Sequence, residues 1–103
     1  MKVMISQPMK GLTEEEIRKH REYWVDVLES QGHIVVDSIF TDVPKSKNIP
    51  LHYLADSLRL MADVDAVLFI GGWRLARGCI LEHACCKLYE IEVFYETRFE
   101  KEV

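Results

Sequence analysis

The chain has no long apolar stretch. Its longest apolar run, residues 66–70, has the length of a strand, whereas a helix that crosses a bilayer needs roughly 20 apolar residues, so no membrane span is expected. The first five residues turn polar too soon to form the apolar region of a signal peptide, which points to a cytoplasmic protein. Positive charge is in deficit as well. Thirteen Lys and Arg stand against 17 Asp and Glu, for a net charge of −4, so no long-range field would draw in a nucleic-acid backbone or an anionic lipid surface. Neither nucleic acid nor membrane is expected as a partner, and a small, locally recognised ligand fits better. Cysteine is sparse and odd in number. Cys79, Cys85 and Cys86 fall too close together to frame a small secreted domain, and a reducing compartment suits them. Cys79 and His83 lie one helical turn apart, but no second cluster supplies the remaining positions of a metal site. Neither a metal nor a cofactor is expected.

What remains is the composition of one folded unit. In 103 residues, 49% are hydrophobic and 29% charged, with 5 Gly and 3 Pro, which is enough apolar surface to offset the entropy of ordering one small domain and too little chain for a second core. Residues 1–103 are therefore read as a single domain.

Hydrophobic patterning gives the order of elements. Residues 2–6 read as a strand ended by Gln7-Pro8 and Gly11. Thr13 followed by Glu14, Glu15 and Glu16 forms a capping box that opens a helix. Ile17, Trp24 and Leu28 carry that helix at its own spacing, and Gly32 supplies a left-handed stop. Ile34, Val35 and Val36 are continuous and β-branched, as in a strand covered on both faces. Residues 41–50 are rich in turn formers and read as a lid or a loop that meets a partner. From Pro50, the residues Leu51, Leu54, Ala55, Leu58, Met61 and Ala62 form the stripe of a second helix. Residues 66–70 make a third strand stopped by Gly71-Gly72. A third helix runs through Ile80, Leu81, Ala84, Cys85 and Leu88, and residues 91–95 make a fourth strand. Such alternation requires right-handed crossovers and a parallel sheet of about four or five strands. The expected class is α/β, a flavodoxin-like or Rossmann-like three-layer sandwich.

In open α/β sheets the ligand crevice lies at the carboxyl ends of the strands, which singles out three connections. The first, Ser6-Gln7-Pro8-Met9-Lys10-Gly11, joins a hydroxyl, a cation and a glycine. It serves either as an anion-binding loop or as an ordinary turn without the GxGxxG pattern. The second, residues 37–48, overlaps the lid. The third runs from Gly71 to Glu82 and includes Gly72, Trp73, Arg77 and Gly78. Gly78 and Glu82 share a helical face one turn apart, so the missing side chain leaves room for substrate beside the carboxylate. The helix dipole is expected to keep Glu82 ionised, as a nucleophile needs; a surface glutamate is the plain alternative. Asp56 borders the apolar stripe of the second helix and would supply the second carboxylate of a glycosidic pair. Asp63 and Asp65 read as capping the following turn.

These residues together resemble the nucleoside 2-deoxyribosyltransferase-like proteins, and among them a group of short, uncharacterised phage and bacterial chains. The likeness rests on Met4-Ile5-Ser6-Gln7-Pro8-Met9-Lys10-Gly11, on Asp56 ahead of Ala62-Asp63-Val64-Asp65-Ala66-Val67, and on Gly72-Trp73 through Arg77-Gly78 to Glu82 and Ala84. The resemblance implies that Glu82 attacks C1′ of the deoxyribose, that Asp56 assists the base and sugar, and that Ser6, Lys10 and Gly11 take a 5′-phosphate. It also implies sites close to subunit contacts. A homo-oligomer, dimer or tetramer, is expected on that ground and from the apolar load of the first helix at Tyr23, Trp24, Val25, Val27 and Leu28. The alternative readings are a nucleotide-binding module without turnover and a small interaction subunit of the same fold.

Overall fold

A computed structural model describes residues 1–38 and 44–96. The chain alternates strand and helix: β1 (Lys2–Ser6), α1 (Glu14–Ser30), β2 (Ile34–Val36), α2 (Ile49–Met61), β3 (Ala66–Phe69), α3 (Arg77–Leu88) and β4 (Glu92–Tyr95), with one 3-10 turn at Trp73–Leu75. The four strands form one all-parallel sheet in the order β2-β1-β3-β4. The strand pattern decides the layers, because successive side chains leave opposite faces of a strand. Val3, Ile5, Ala66, Leu68 and Ile70 pack with Trp24 and Leu28 of α1. Met4, Val67, Phe69 and Val93 pack on the other face with Met61 of α2 and Cys79 and Cys86 of α3. This is a three-layer α/β sandwich with α1 on one side and α2 and α3 on the other.

Local chemistry sets the helix ends. The Thr13 hydroxyl accepts from the Glu16 N–H at 3.1 Å while the Glu16 carboxylate accepts from the Thr13 N–H at 3.0 Å, the reciprocal box expected from the sequence. At the other end of α1, Gly32 takes φ +86°, and the N–H groups of Gly32 and His33 reach back to the carbonyls of Glu29 and Leu28. A side chain at residue 32 would strain that left-handed turn. Asn48 caps α2 through a 3.1 Å bond from the Leu51 N–H, and Pro50 sits in the first turn, where its missing N–H costs nothing. Of the segment read as a lid, residues 41–43 lie outside the described residues, and the rest already runs into the cap of α2. Asp65 accepts from the Lys2 N–H at 2.8 Å, so it ties the entry of β3 to β1. No helix among the described residues is long and apolar enough to cross a membrane.

Candidate functional site

Strand order reverses between β1 and β3: the chain leaves β1 toward β2 on one side and later returns to β3 on the other. Such a switch point opens a crevice beyond the carboxyl ends of the two strands. A cleft of about 530 Å³ lies there. Its walls come from three places. The β1–α1 connection supplies Ser6, Gln7, Pro8, Met9 and Lys10, the start of α3 and the turn before it supply Leu75, Ala76, Arg77, Gly78, Cys79 and Glu82, and α2 supplies Pro50, Tyr53, Leu54 and Ser57. Ser38, just past β2, completes the rim.

Glu82 is the one carboxylate among the described residues that line this cleft. It is only 7% exposed, and the Ser6 hydroxyl, itself buried, donates to its Oε1 at 2.7 Å. Burial pushes the Glu82 carboxyl above the ordinary carboxylate range, and hydrogen bonds from Ser6 and Ser57 pull against that rise. The dipole of α3, expected to keep Glu82 ionised, does not set the direction of this shift. Glu82 is the sixth residue of the helix, past the free N–H groups of the first turn, where the dipole effect fades; desolvation therefore outweighs it. The two hydroxyls are what favour the anion. Across one turn, a Cβ built on Gly78 meets nothing within 4 Å, so the space beside Glu82 is open, as the spacing predicts.

Two cations flank this floor. Lys10 and Arg77 line the cleft and have no ion-pair partner among the described residues. Cys79 also faces the cleft, but burial pushes its thiol up to about 11, with the Ser6 hydroxyl opposing and Glu82 reinforcing the rise. At neutral pH it is an inert thiol, because the thiolate is the reactive form.

Four of the residues singled out in the sequence stand elsewhere. Asp56 does not line the cleft. It lies on a different face of α2, paired with Arg59 and 3.6 Å from His52 Nε2, while His52 Nδ1 shares a 2.7 Å hydrogen bond with Ser46. One residue along the helix, a rotation of about 100°, puts Ser57 where Asp56 was expected. Trp73 is buried rather than offered as a plate for a ligand: its ring stacks on His83 at 4.1 Å and lies 6.0 Å from Tyr95, with Phe69 beside it. Gly72 holds the left-handed φ of +90° that admits the turn before Trp73; Gly11, at φ +83°, does the same past the cleft-lining part of the first connection. Neither glycine lines the cleft. Ser38 and Ser57 escape the sequence reading because an isolated serine carries no pattern. The only signal for Ser38 is its place just after a strand. No group of three His, Cys, Asp or Glu that could hold a metal ion occurs among the described residues.

The fold and the cleft together define a parallel α/β domain with a crevice built around one buried glutamate. The chain belongs to the family described as Domain of unknown function (DUF4406), whose model matches residues 1–95. Comparison with curated proteins and with solved structures returned no match.

Proposed function

We propose that this protein cleaves or exchanges the N-glycosidic bond of a deoxynucleoside or deoxynucleoside 5′-monophosphate, with Glu82 as the nucleophile. The observation that carries this reading is Glu82 itself, a buried carboxylate held at 2.7 Å by Ser6 in a cleft where Gly78 leaves open the space beside it. A carboxylate so placed has its orientation fixed and its solvation removed, which is what attack on an anomeric carbon asks of it. The resemblance of the Ser6–Gly11, Gly72–Gly78 and Glu82 motifs to the nucleoside 2-deoxyribosyltransferase-like proteins supports the same chemistry.

In this mechanism a Glu82 carboxylate oxygen forms a bond to C1′ as the bond from C1′ to the base nitrogen breaks. The electron pair leaves with the base, which is protonated from water. Water, or a second base in an exchange, then attacks C1′ and returns the carboxylate. Ser6 and Ser57 steady the carboxylate by hydrogen bonding. Lys10 and Arg77 are the cations within reach of a 5′-phosphate. The reading also includes a homo-oligomer and a cytoplasmic setting, the latter suited to three unpaired cysteines.

One observation favours binding without turnover: no second carboxylate among the described residues lines the cleft to serve the leaving base. A quenched single turnover with a deoxynucleoside monophosphate separates the two readings. Peptide mass mapping finds the sugar on the peptide that contains Glu82 if the nucleophile is correct; binding with neither adduct nor free base leaves the binding module.

A further inference from the structure

We infer that Ser38 reads a sugar hydroxyl of the ligand, held for that task by the buried Arg21; this rests on the nucleotide reading of the cleft and adds how the site selects among sugars. A serine hydroxyl has one hydrogen to give and two lone pairs to offer. At Ser38 the hydrogen is committed to the Ile5 carbonyl at 3.0 Å. One lone pair receives Arg21 Nη1 at 3.4 Å. A single acceptor lone pair is left on a residue that lines the cleft.

The neighbouring polar atoms are committed in the same sense. The Ser6 hydrogen goes to Glu82 Oε1. Gln7 gives its Nε2 to the Ile17 carbonyl at 2.9 Å, and its buried Oε1 has no hydrogen-bond partner. Ser38 therefore offers an acceptor to the cleft, while Lys10 and Arg77 bring it positive charge. A ligand that matches both carries an anionic group and a hydroxyl donor. A sugar phosphate has that polarity. Ser38 cannot serve the phosphate, because an anion needs a donor and the Ser38 hydrogen is already spent.

Arg21 is the positioning residue in this arrangement. The residue is only 9% exposed. Besides Ser38 it reaches the Val36 carbonyl at 3.5 Å and Asp37 Oδ1 at 3.4 Å, so one planar group ties together three consecutive residues from the last of β2 onward. A planar fork with several donors holds such a turn as no single ammonium would.

Calorimetric titration with three 5′-monophosphates of one base, carrying ribose, 2′-deoxyribose or 2′,3′-dideoxyribose, tests the inference, run on the wild type and on Glu82→Gln so that turnover does not distort the curves. Removing the hydroxyl that Ser38 reads should weaken binding roughly five- to tenfold, the size of one neutral hydrogen bond. Ser38→Ala should erase that step and Ser38→Thr, which keeps the hydroxyl, should restore it. Neither variant should change the ratio of monophosphate to nucleoside affinity. Three wild-type affinities that are equal, or a step that survives in Ser38→Ala, would overturn the role of Ser38 while leaving nucleotide binding intact. Failure of all three probes to bind would overturn the nucleotide reading and Ser38 with it.

Discussion

Replacing Gly78 separates what helix α3 needs from what the cleft needs. Gly78 is the second residue of α3, and a Cβ there meets nothing within 4 Å, so a methyl group enters without a clash. A glycine inside a helix costs roughly 0.5–1 kcal/mol relative to alanine, and the position near the helix start argues for the lower end. In a domain of this size each kcal/mol is worth about 4–8 °C in Tm, so Gly78→Ala should raise Tm by about 2–4 °C. The open space that makes this gain possible is also the space beside Glu82. Gly78→Leu projects a larger group into it and should exclude the ligand while the helix remains sound. Thermal unfolding with and without a deoxynucleoside monophosphate reads both effects. Ligand at a hundredfold excess over Kd stabilises the wild type by about 2.7 kcal/mol, a Tm rise of roughly 10–20 °C. That rise should be lost in Gly78→Leu. A leucine variant with the full ligand-induced rise would refute the placement of the ligand between residue 78 and Glu82, and an alanine variant less stable than wild type would refute the open space.

Further consequences follow from charge and surface. The native state holds the Glu82 proton more tightly than the unfolded chain does, since burial raises the Glu82 pKa. Its stabilising contribution is therefore complete below the ordinary carboxylate value and is lost as pH rises through the raised one. Urea unfolding of Glu82→Gln across acid to neutral pH should show the variant gaining on the wild type as pH rises; the opposite trend would contradict the burial cost. Lys10→Ala should shrink the preference for monophosphate over nucleoside, by about tenfold for a charge-assisted contact, and titration of both ligands would show no change if the first connection is only a turn. Leu88 and Tyr89, neighbours at the end of α3, are both 78% exposed and would be covered in a self-associated form. Light scattering should give a multiple of 12.0 kDa, and a mass that stays at the monomer value at every concentration would exclude the oligomer.

The layers of this fold were legible because the signals are local and repeated. The capping box at Thr13 and the glycine stop at residue 32 each have one physical solution, and parallel strands admit few connections between them; the β-branched run at residues 34–36 does form a strand, but at the edge of the four-stranded sheet with Ile34 67% exposed, not covered on both faces as its composition suggested. Glu82 and Gly78 were legible for the same reason: helical spacing places them on one face. Asp56 and Ser57 show where that logic ends. Both border the apolar stripe of α2, and which of the two meets the cleft depends on the helix's rotation against α3, a property of packing with no local signal. Trp73 is a second case. A tryptophan beside two glycines reads equally well as a binding plate or as a core residue, and the partners that decide it, His83 and Tyr95, come from later in the chain. The direction of the Glu82 pKa shift is set first by burial, and burial is a tertiary quantity.

Release of free base from a deoxynucleoside or its 5′-monophosphate, compared between the wild type and Glu82→Gln, tests the central claim most directly. The substitution keeps the shape of the side chain and removes its nucleophilic oxygen, so the rate should fall by roughly a thousandfold or more, with the fold intact by circular dichroism. Asp56→Asn, altered outside the cleft, should lose far less. A Glu82→Gln enzyme that releases base at close to the wild-type rate would contradict Glu82 as the nucleophile.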